Sequence, residues 1–296
     1  MIQEGVIVRR HGRWNDVGKG WYKFSSSKLS VVGLAIVAIV VLLAIFAPLV
    51  APYPQHAGAF VDFGNANRPP GSEYLMGTDN VGRDILSRLI FSLRSALLMG
   101  IVVLSIAVPV GSTLGLIAGY FRGTVIDAVI TRITDVFLAV PPLVLALAIA
   151  SMLTPNLTNA MIAISVMWWP WYTRLVYGMA SSLSKEYFVR SAELSGGGWF
   201  HIIIREILPN CVSPILTKMT LDMGIVIMVG ASISFVGLGE QPPAPALGNM
   251  VSDGAKYMPE QWWMTVFPAL AIMMIVLGFN LLGDGIRDLF AVEDKN

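Results

Sequence analysis

The sequence predicts an all-α membrane protein with six transmembrane helices and both termini in the cytoplasm. Three observations support this fold class: an apolar composition, six long apolar segments, and an uneven distribution of Lys and Arg between them. Of the 296 residues, 55% are hydrophobic and 13% are charged, and the mean hydropathy is +0.68. These values are far more apolar than those of a typical soluble domain. The net charge of +1 gives no reason to expect a nucleic-acid ligand.

Each apolar segment is long enough to cross a bilayer, because about 20 residues at about 1.5 Å each span a hydrocarbon core of about 30 Å. The predicted spans are 29–51, 95–120, 125–152, 160–179, 215–236 and 264–282. Several contain proline, and we expect kinks rather than breaks because neighbouring groups in a bundle can satisfy the freed carbonyls. These prolines are Pro109, Pro141, Pro142, Pro170 and Pro268.

The tail before the first span is basic, which predicts a cytoplasmic N-terminus. Its basic residues are Arg9, Arg10, Arg13, Lys19, Lys23 and Lys28. An even number of spans then places the C-terminus on the same side. The predicted organisation is a cytoplasmic tail (1–28), a peripheral first helix (29–51), an extracytoplasmic loop with an amphipathic helix (52–91), a core of five spans (92–288) and a cytoplasmic tail (289–296).

The extracytoplasmic loop contains the string GTD-x-x-GRD, which we call the outer-loop signature. It consists of Gly77, Thr78, Asp79, Gly82, Arg83 and Asp84. Thr78 or Asp79 is expected to cap the amphipathic helix, whose apolar residues follow at helical spacing. A solvated turn that leads into a helix explains the Gly and Asp residues equally well, but it does not explain the full string.

No catalytic or metal-binding pattern is present in the sequence. His11, His56 and His201 are scattered, and the single Cys211 has no partner for a disulfide or a metal site. Zinc-protease, serine-hydrolase and phosphate-loop motifs are absent, and the glycine run 196–198 lacks the lysine that reaches a nucleotide phosphate. We therefore expect a protein that is not an enzyme, holds no metal and does not itself bind ATP.

Ionisable residues within apolar spans are costly and are usually paired or functional. Asp135 follows Arg132 by three residues, and Asp222 follows Lys218 by four, so each acid has a basic residue on the same helix face. We predict an Arg132–Asp135 structural pair. The alternative is a proton- or ion-coupled carrier that uses Asp135 or Asp222, although neither acid belongs to the array that a proton relay needs.

The connector at residues 181–210, which we call the inner loop, is polar and lies between two apolar segments. Apolar residues recur at helical spacing on both sides of Gly196, which predicts two short helices joined by a sharp turn. Such an element suits a compact cytoplasmic knob that docks on a partner. On the pattern alone, a surface hairpin without a partner is an equal alternative.

The inner loop resembles the EAA loop, by which permease subunits of ATP-binding-cassette (ABC) importers dock onto their ATPases. The family pattern is Glu-Ala-Ala, three residues, Gly, nine residues, then Ile-x-Leu-Pro. Aligned on its end, it places the Leu-Pro on Leu208 and Pro209 and the Gly on Gly196. Arg190 and Glu206 depart from it, since they stand where Glu and Ile are usual. The resemblance implies an ATPase-coupling role for Ser191, Ala192, Glu193, Gly196, Leu208 and Pro209.

Strings along the rest of the chain are similar to the dipeptide, oligopeptide and nickel permeases, and within them to the second (C-type) permease subunit. They are Pro69-Pro70, the outer-loop signature, Gly119-Tyr120-Phe121, Asp135 with Pro141, Gly237-Leu238-Gly239 with Gln241-Pro242-Pro243, and the run 279–288. Strings of this length are more specific than any single glycine motif.

The resemblance implies a type I ABC importer permease fold and a subunit of an ATP-driven importer in the cell (inner) membrane. Its implied partners are a second homologous permease, two ATP-binding subunits that bind the ATP and Mg²⁺, an extracytoplasmic substrate-binding protein and the lipid bilayer. No cofactor is implied in this chain. Dipeptides or oligopeptides are the expected substrates; nickel chelates, glutathione and oligosaccharides stay open. The rival from another class is the self-contained ion-coupled carrier or channel.

Overall fold

The computed structural model describes residues 24–290, which form helices and connecting turns without a strand. The predicted all-α class is therefore confirmed for this part of the chain. The predicted tails, 1–28 and 289–296, lie almost wholly outside the described residues. The placement of both termini in the cytoplasm accordingly stays a prediction.

Eleven α-helices follow one another between residues 28 and 290 of the described chain. They are α1 (Lys28–Ile45), α2 (Ala47–Val50), α3 (Ile85–Tyr120), α4 (Val125–Leu138), α5 (Pro142–Ser151), α6 (Leu157–Leu183), α7 (Tyr187–Leu194), α8 (Trp199–His201), α9 (Leu208–Phe235), α10 (Leu247–Ala255) and α11 (Trp263–Phe290). A π-helical segment, Ile202–Ile207, joins α8 to α9. Short 3₁₀ turns lie at Pro54–Ala57 and Phe63–Asn65.

Four helical segments among the described residues are long and apolar enough to cross a membrane: α1, α3, the continuous run from Trp199 to Phe235, and α11. The helices α4 and α5 make a fifth if they count as one span, although they meet at an angle of 86°. The helix α6 is 27 residues long, but Trp, Tyr, Thr and Arg side chains near its centre lower its hydropathy. Apolar length alone thus supports four or five spans rather than the predicted six.

Prolines have two different effects on these helices. The prolines that lie inside continuous helices, as expected, are Pro109 in α3, Pro170 in α6 and Pro268 in α11. The expectation of a kink rather than a break is wrong at Pro141 and Pro142, because α4 ends at Leu138 and α5 begins at Pro142. Two successive prolines remove two amide donors, and a proline drives the residue before it out of the α region. Pro141 is accordingly extended, with ψ of 131°.

The helix α3 begins earlier than expected. The sequence predicted a separate amphipathic helix, capped by Thr78 or Asp79, before a span at 95–120. The structure instead has one helix of 36 residues, and its N-cap is Asp84, whose side chain accepts a hydrogen bond from the Ser87 N–H. At about 1.5 Å per residue, α3 is about 54 Å long and exceeds the roughly 30 Å hydrocarbon core.

Glycine at every fourth position lets α3 lie directly against α6. A Cβ on Gly115 would stand 2.7 Å from the Thr173 carbonyl oxygen, and a Cβ on Gly119 would stand 2.6 Å from the Ala180 Cβ. Gly111, one turn earlier, leaves the same small separation opposite Tyr172. Small residues permit this close approach of membrane helices, where dispersion contacts rather than water exclusion favour association.

The first helix, α1, packs along α11 through glycines on both helices. A Cβ on Gly33 would lie 2.6 Å from the Leu281 Cβ, and one on Gly278 would lie 2.7 Å from the Ile36 Cγ2. The opposite side of α1 exposes large apolar residues, among them Ile39 and Leu42. This packing attaches α1 to one side of the bundle.

Candidate functional site

The first helix of the inner loop, α7, ends in a turn that requires glycine. Ser195 is the C-cap, and Gly196 follows with φ of +85°, in the left-handed region. The Gly196 N–H donates to the Glu193 carbonyl (2.9 Å) and the Gly197 N–H donates to the Ala192 carbonyl (3.0 Å), which together form a Schellman motif. A Cβ on Gly196 would meet no atom within 4 Å. Backbone conformation rather than space therefore selects glycine here.

The second half of the inner loop is continuous with a long helix. The prediction of two short helices holds for α7, but α8 runs through the π-helical segment directly into α9. The π-helical turns precede Pro209, which has no amide hydrogen to donate and whose ring crowds the carbonyl four residues earlier. No turn or loop separates α8 from α9, so the second half of the inner loop is the start of a helical run that continues to Phe235.

The predicted coupling residues all lie on the inner loop, where most of their described contacts hold its shape. Glu193 Oε1 accepts a hydrogen bond from the Tyr120 hydroxyl (3.0 Å), which ties α7 to the end of α3. Ser191 donates to a carbonyl within α7. Ala192 and Leu208 pack partly against the core, whereas Pro209 is exposed.

Large apolar side chains, which we call the apolar tip, are exposed on the same loop. The apolar tip consists of Tyr187, Leu194, Trp199 and Phe200. The exposed fractions of Tyr187 and Leu194 are 85% and 90%, while Val189 between them is buried. These residues were not predicted from the sequence, although Tyr187 and Leu194 are two helical turns apart and so share the face of α7 that turns away from Val189. The turn at Gly196 thus lies beside an apolar surface that stays largely exposed among residues 24–290, although the Trp199 ring contacts Phe121.

On the opposite side of the bundle, Asp79 organises the outer-loop signature. Its Oδ1 accepts from the backbone N–H groups of Val81 (3.0 Å) and Arg83 (2.9 Å), and its Oδ2 accepts from Arg83 Nε (2.7 Å). Arg88 Nε lies 3.7 Å from the same Oδ2. Gly82 completes this turn with φ of +84°. The carboxylate is thus committed to contacts within the chain.

Gly77 and Thr78 attach the signature to α11. Gly77 has φ of +76°, and a Cβ there would lie 2.7 Å from the Trp263 ring. The Trp263 Nε1–H donates to the Thr78 carbonyl (3.3 Å). The fully buried Thr78 hydroxyl donates to the Asn65 carbonyl (2.6 Å) and accepts from the Arg68 N–H (2.8 Å). These contacts fix the outer loop on the bundle.

The last signature residue, Asp84, joins α3 to a buried histidine. Its carboxylate accepts from the Ser87 N–H (2.7 Å) and hydroxyl (2.6 Å), and its own N–H donates to His56 Nδ1 (2.9 Å). Arg88 donates to the His56 carbonyl (3.1 Å). Burial lowers the pKa of His56 below its ordinary value, despite nearby carboxylates that raise it. His56 is therefore held neutral, as a hydrogen-bond acceptor.

The predicted Arg132–Asp135 pair is not what the structure contains. Asp135 Oδ1 instead forms an ion pair with Arg174 Nη2, which comes from α6 rather than from the same helix. Arg174 comes within reach of Asp135 because α4 packs against α6, where the rings of Phe137 and Trp169 meet edge to face with centroids 5.3 Å apart. Spacing within one helix could not reveal a partner on another.

The second predicted acid has its expected partner. Lys218 Nζ lies 3.0 Å from Asp222 Oδ1, and Trp168 Nε1–H donates to Asp222 Oδ2 (3.0 Å). Asp222 is buried. Between residues 24 and 290, no group of three or more His, Cys, Asp or Glu side chains is placed to hold a metal ion.

Two family models match this chain. The model of the binding-protein-dependent transport system inner membrane component matches residues 111–292, which is more than half of the sequence. The chain belongs to this permease family. The model of the N-terminal TM domain of oligopeptide transport permease C matches residues 12–70 of the permease. Together they support a C-type permease subunit, and such subunits are transport components rather than enzymes.

Curated relatives resemble the permease over nearly its whole length. It is 38% identical over 284 residues to the probable D,D-dipeptide transport system permease protein of Escherichia coli, covering 96% of the permease and 94% of the relative. It is 40% identical over 277 residues to the dipeptide transport system permease protein of Alkalihalophilus pseudofirmus, covering 93% and 88%. It is also 36% identical over 268 residues to the glutathione transport system permease protein of Pectobacterium atrosepticum, covering 90% and 88%.

A solved structure shows the fold. The permease aligns with a chain of the inward-facing MetNI methionine ABC transporter with a TM-score of 0.53 and 17% sequence identity. The match covers 69% of the permease and 96% of that chain. The type I ABC importer permease fold is thus confirmed.

Proposed function

We propose that this permease is one half of the translocation path of an ATP-driven importer of dipeptides or oligopeptides in the inner membrane. Its partners are a second homologous permease, two ATP-binding subunits and an extracytoplasmic binding protein. The inner loop carries this proposal, because it combines a fixed glycine turn, a continuous helical connection to α9 and an exposed apolar tip. ATP and Mg²⁺ bind to the ATP-binding subunits.

The membrane arrangement we propose has six spans and both termini in the cytoplasm. The bent pair of α4 and α5 and the aromatic-rich α6 then join α1, α3, α9 and α11 as spans. The Tyr120–Glu193 hydrogen bond puts the end of α3 beside the inner loop, and the proposed arrangement has both on the cytoplasmic side. The outer-loop signature, at the start of α3, then lies on the extracytoplasmic side, where the binding protein docks.

Coupling proceeds through the apolar tip. Tyr187 and Trp199 are exposed side chains of the size that fills a pocket on a partner, and Tyr and Trp are among the residues that contribute most to protein interfaces. The buried Val189 and Ile207 hold the loop on the bundle. When the ATPases close around ATP, they move α7 as a rigid body, and the continuous run from α8 to α9 carries this movement into the membrane.

The substrate class rests on the relatives, which are named for dipeptides, D,D-dipeptides and glutathione. All of these are short peptides with free termini. Nickel chelates and oligosaccharides have no comparable support among these relatives. The ion-coupled carrier, the rival hypothesis, is also disfavoured, since its two candidate acids are paired in the structure and the family is that of binding-protein-dependent permeases.

Uptake into proteoliposomes tests the proposal. The permease is reconstituted with its partner permease, the ATPases and the binding protein, and the initial rate of uptake of a labelled dipeptide is measured with and without ATP. We expect uptake that requires ATP and stops when the ATPases are omitted. Uptake by this chain alone, insensitive to ATP, would refute the importer assignment.

A further inference from the structure

An exposed ion pair joins two helices of the permease, α4 and α6. Asp135 stands ten residues after the start of α4, and Arg174 stands nine residues before the end of α6. At about 1.5 Å per residue, both lie roughly 14–15 Å from the helix ends nearest the inner loop, which is about half of the hydrocarbon thickness. Yet 49% of the Asp135 side chain and 41% of the Arg174 side chain are exposed in the isolated chain.

Contact with lipid would be unfavourable for these two charged side chains. Charged side chains within membrane spans almost always face the bundle interior or a water-filled cavity. Gly178 lies one turn after Arg174 on the same face of α6, and a Cβ there would meet nothing within 4 Å. Among residues 24–290, nothing therefore covers the face of α4 and α6 that bears the pair.

The pair is also free to exchange partners. Asp222, by contrast, is buried and holds two partners, Lys218 and the Trp168 indole. Asp135 and Arg174 have only each other as side-chain partners among residues 24–290. A ligand that offers one anion and one cation can replace this single ion pair with two, so that no charge is left unpaired in the membrane.

We propose that Asp135 and Arg174 form a subsite in the translocation path that binds the two charged termini of a peptide. The Arg174 guanidinium takes the C-terminal carboxylate, for which its planar donor geometry is suited. The Asp135 carboxylate takes the N-terminal ammonium. When the path is empty, the two side chains neutralise each other. This inference rests on the proposed function as a peptide importer.

Blocked peptides test the subsite. The assembled importer in proteoliposomes receives a free dipeptide, its C-terminal amide, which lacks the carboxylate, and its N-acetyl derivative, which lacks the ammonium. Every variant uses the same binding protein, so changes in the uptake ratios between these probes report the permease. We expect Arg174→Gln to lower the ratio of free-dipeptide uptake to amide uptake roughly tenfold, as for the loss of one charged hydrogen-bonded contact. Asp135→Asn should lower the ratio of free-dipeptide uptake to N-acetyl-dipeptide uptake by a similar factor.

Arg132→Gln is the matched control, because Arg132 is an exposed arginine on α4 that does not pair with Asp135. Both ratios should keep their parent values in this variant. If a single variant does not assemble, Asp135→Asn with Arg174→Gln leaves no unpaired charge, and both ratios should fall. Parent-like ratios in that double variant, or in both single variants, would overturn the proposal.

Thiol labelling tests the location independently. The native Cys211 is fully buried, so Gly178→Cys supplies the reactive thiol on the face of Arg174. We expect a water-soluble, negatively charged methanethiosulfonate to label it in the assembled importer, and a free dipeptide to slow the labelling. Leu42→Cys, on the exposed side of α1, should remain unlabelled. Absence of labelling at Gly178→Cys would contradict a path-lining subsite.

The two proposals fail in distinguishable ways. If the parent importer shows no ATP-dependent dipeptide uptake, the proposed function is wrong. If the parent imports dipeptides but the ratios and the labelling do not respond as described, only the subsite is wrong.

Discussion

Two glycines on either side of the continuous helical run from Trp199 to Phe235 meet the same backbone requirement. Gly196 precedes the helical run on the inner side, and Gly237 follows α9 on the outer side with φ of +89°. The Gly237 N–H donates to the Ser234 carbonyl (2.9 Å) and the Leu238 N–H to the Ile233 carbonyl (3.1 Å). Both turns are thus Schellman motifs, and a Cβ on either glycine would meet nothing within 4 Å.

Replacing Gly196 by alanine isolates the cost of the backbone conformation. Forcing a side chain into the left-handed region costs roughly 1–2 kcal/mol. If the ATPases require this turn, Gly196→Ala should weaken their binding about tenfold, and Gly196→Asn should weaken it less because Asn tolerates the conformation. Binding of the purified ATPases to the permease pair measures the effect. Gly198→Ala is the control, since Gly198 has φ of −71° and also has open space; an equal loss there would contradict the explanation.

Protonation of His56 should loosen the outer loop. Its pKa is lowered in the folded protein, so the neutral form contributes stability above the unfolded pKa of about 6.5, and this contribution is lost as the pH falls below that value. The Asp84 N–H then loses its acceptor. We expect proteolysis of the outer loop to accelerate from pH 8 to pH 5. His56→Gln should show a weaker pH dependence, and an unchanged one would rule out His56 as the cause.

For the helices, apolar periodicity and turn residues predicted where a helix lies better than they predicted the residues at which it begins and ends. The six apolar segments all fall on helices, and Gly196 was found because few other residues adopt its conformation. The cap of α3 could not be chosen from sequence, since Thr78 and Asp79 also suit an N-cap and only tertiary contacts engage them elsewhere. The partner of Asp135 was missed for a similar reason, because Arg174 lies 39 residues away in sequence.

Gly115 lies where α3 and α6 are in close contact, so a larger residue there should destabilise the protein. A Val side chain at Gly115 has no room beside the Thr173 carbonyl and Val176, so the two helices must move apart. Overpacking of this kind typically costs about 1–3 kcal/mol. We expect Gly115→Val to lower the melting temperature of the detergent-purified permease pair. Gly178→Ala on α6, where the space is open, should leave it unchanged; equal melting temperatures for both variants would disprove the tight contact.

At the scale of the whole molecule, α3 connects the two proposed docking regions. Its N-cap, Asp84, is the last residue of the outer-loop signature. Nearby, Arg88 donates to the Pro243 carbonyl before α10 (3.3 Å), and Asn80 donates to the Tyr257 hydroxyl before α11 (3.3 Å). Its end contacts the inner loop through Tyr120. A single long helix therefore links the side proposed for the binding protein with the side proposed for the ATPases.

If the inner loop couples this permease to separate ATPases, Gly196→Arg should prevent the ATPases from co-purifying with the permease. The open space at Gly196 accommodates an arginine side chain in the permease alone, but this side chain would clash with an ATPase docked on the inner loop. Gly237→Arg is the matched control, with the same Schellman turn at the far end of α9. We predict that both variants reach the membrane, that Gly237→Arg retains the ATPases and that Gly196→Arg loses them. A Gly196→Arg permease that still co-purifies with the ATPases and transports normally would contradict the account.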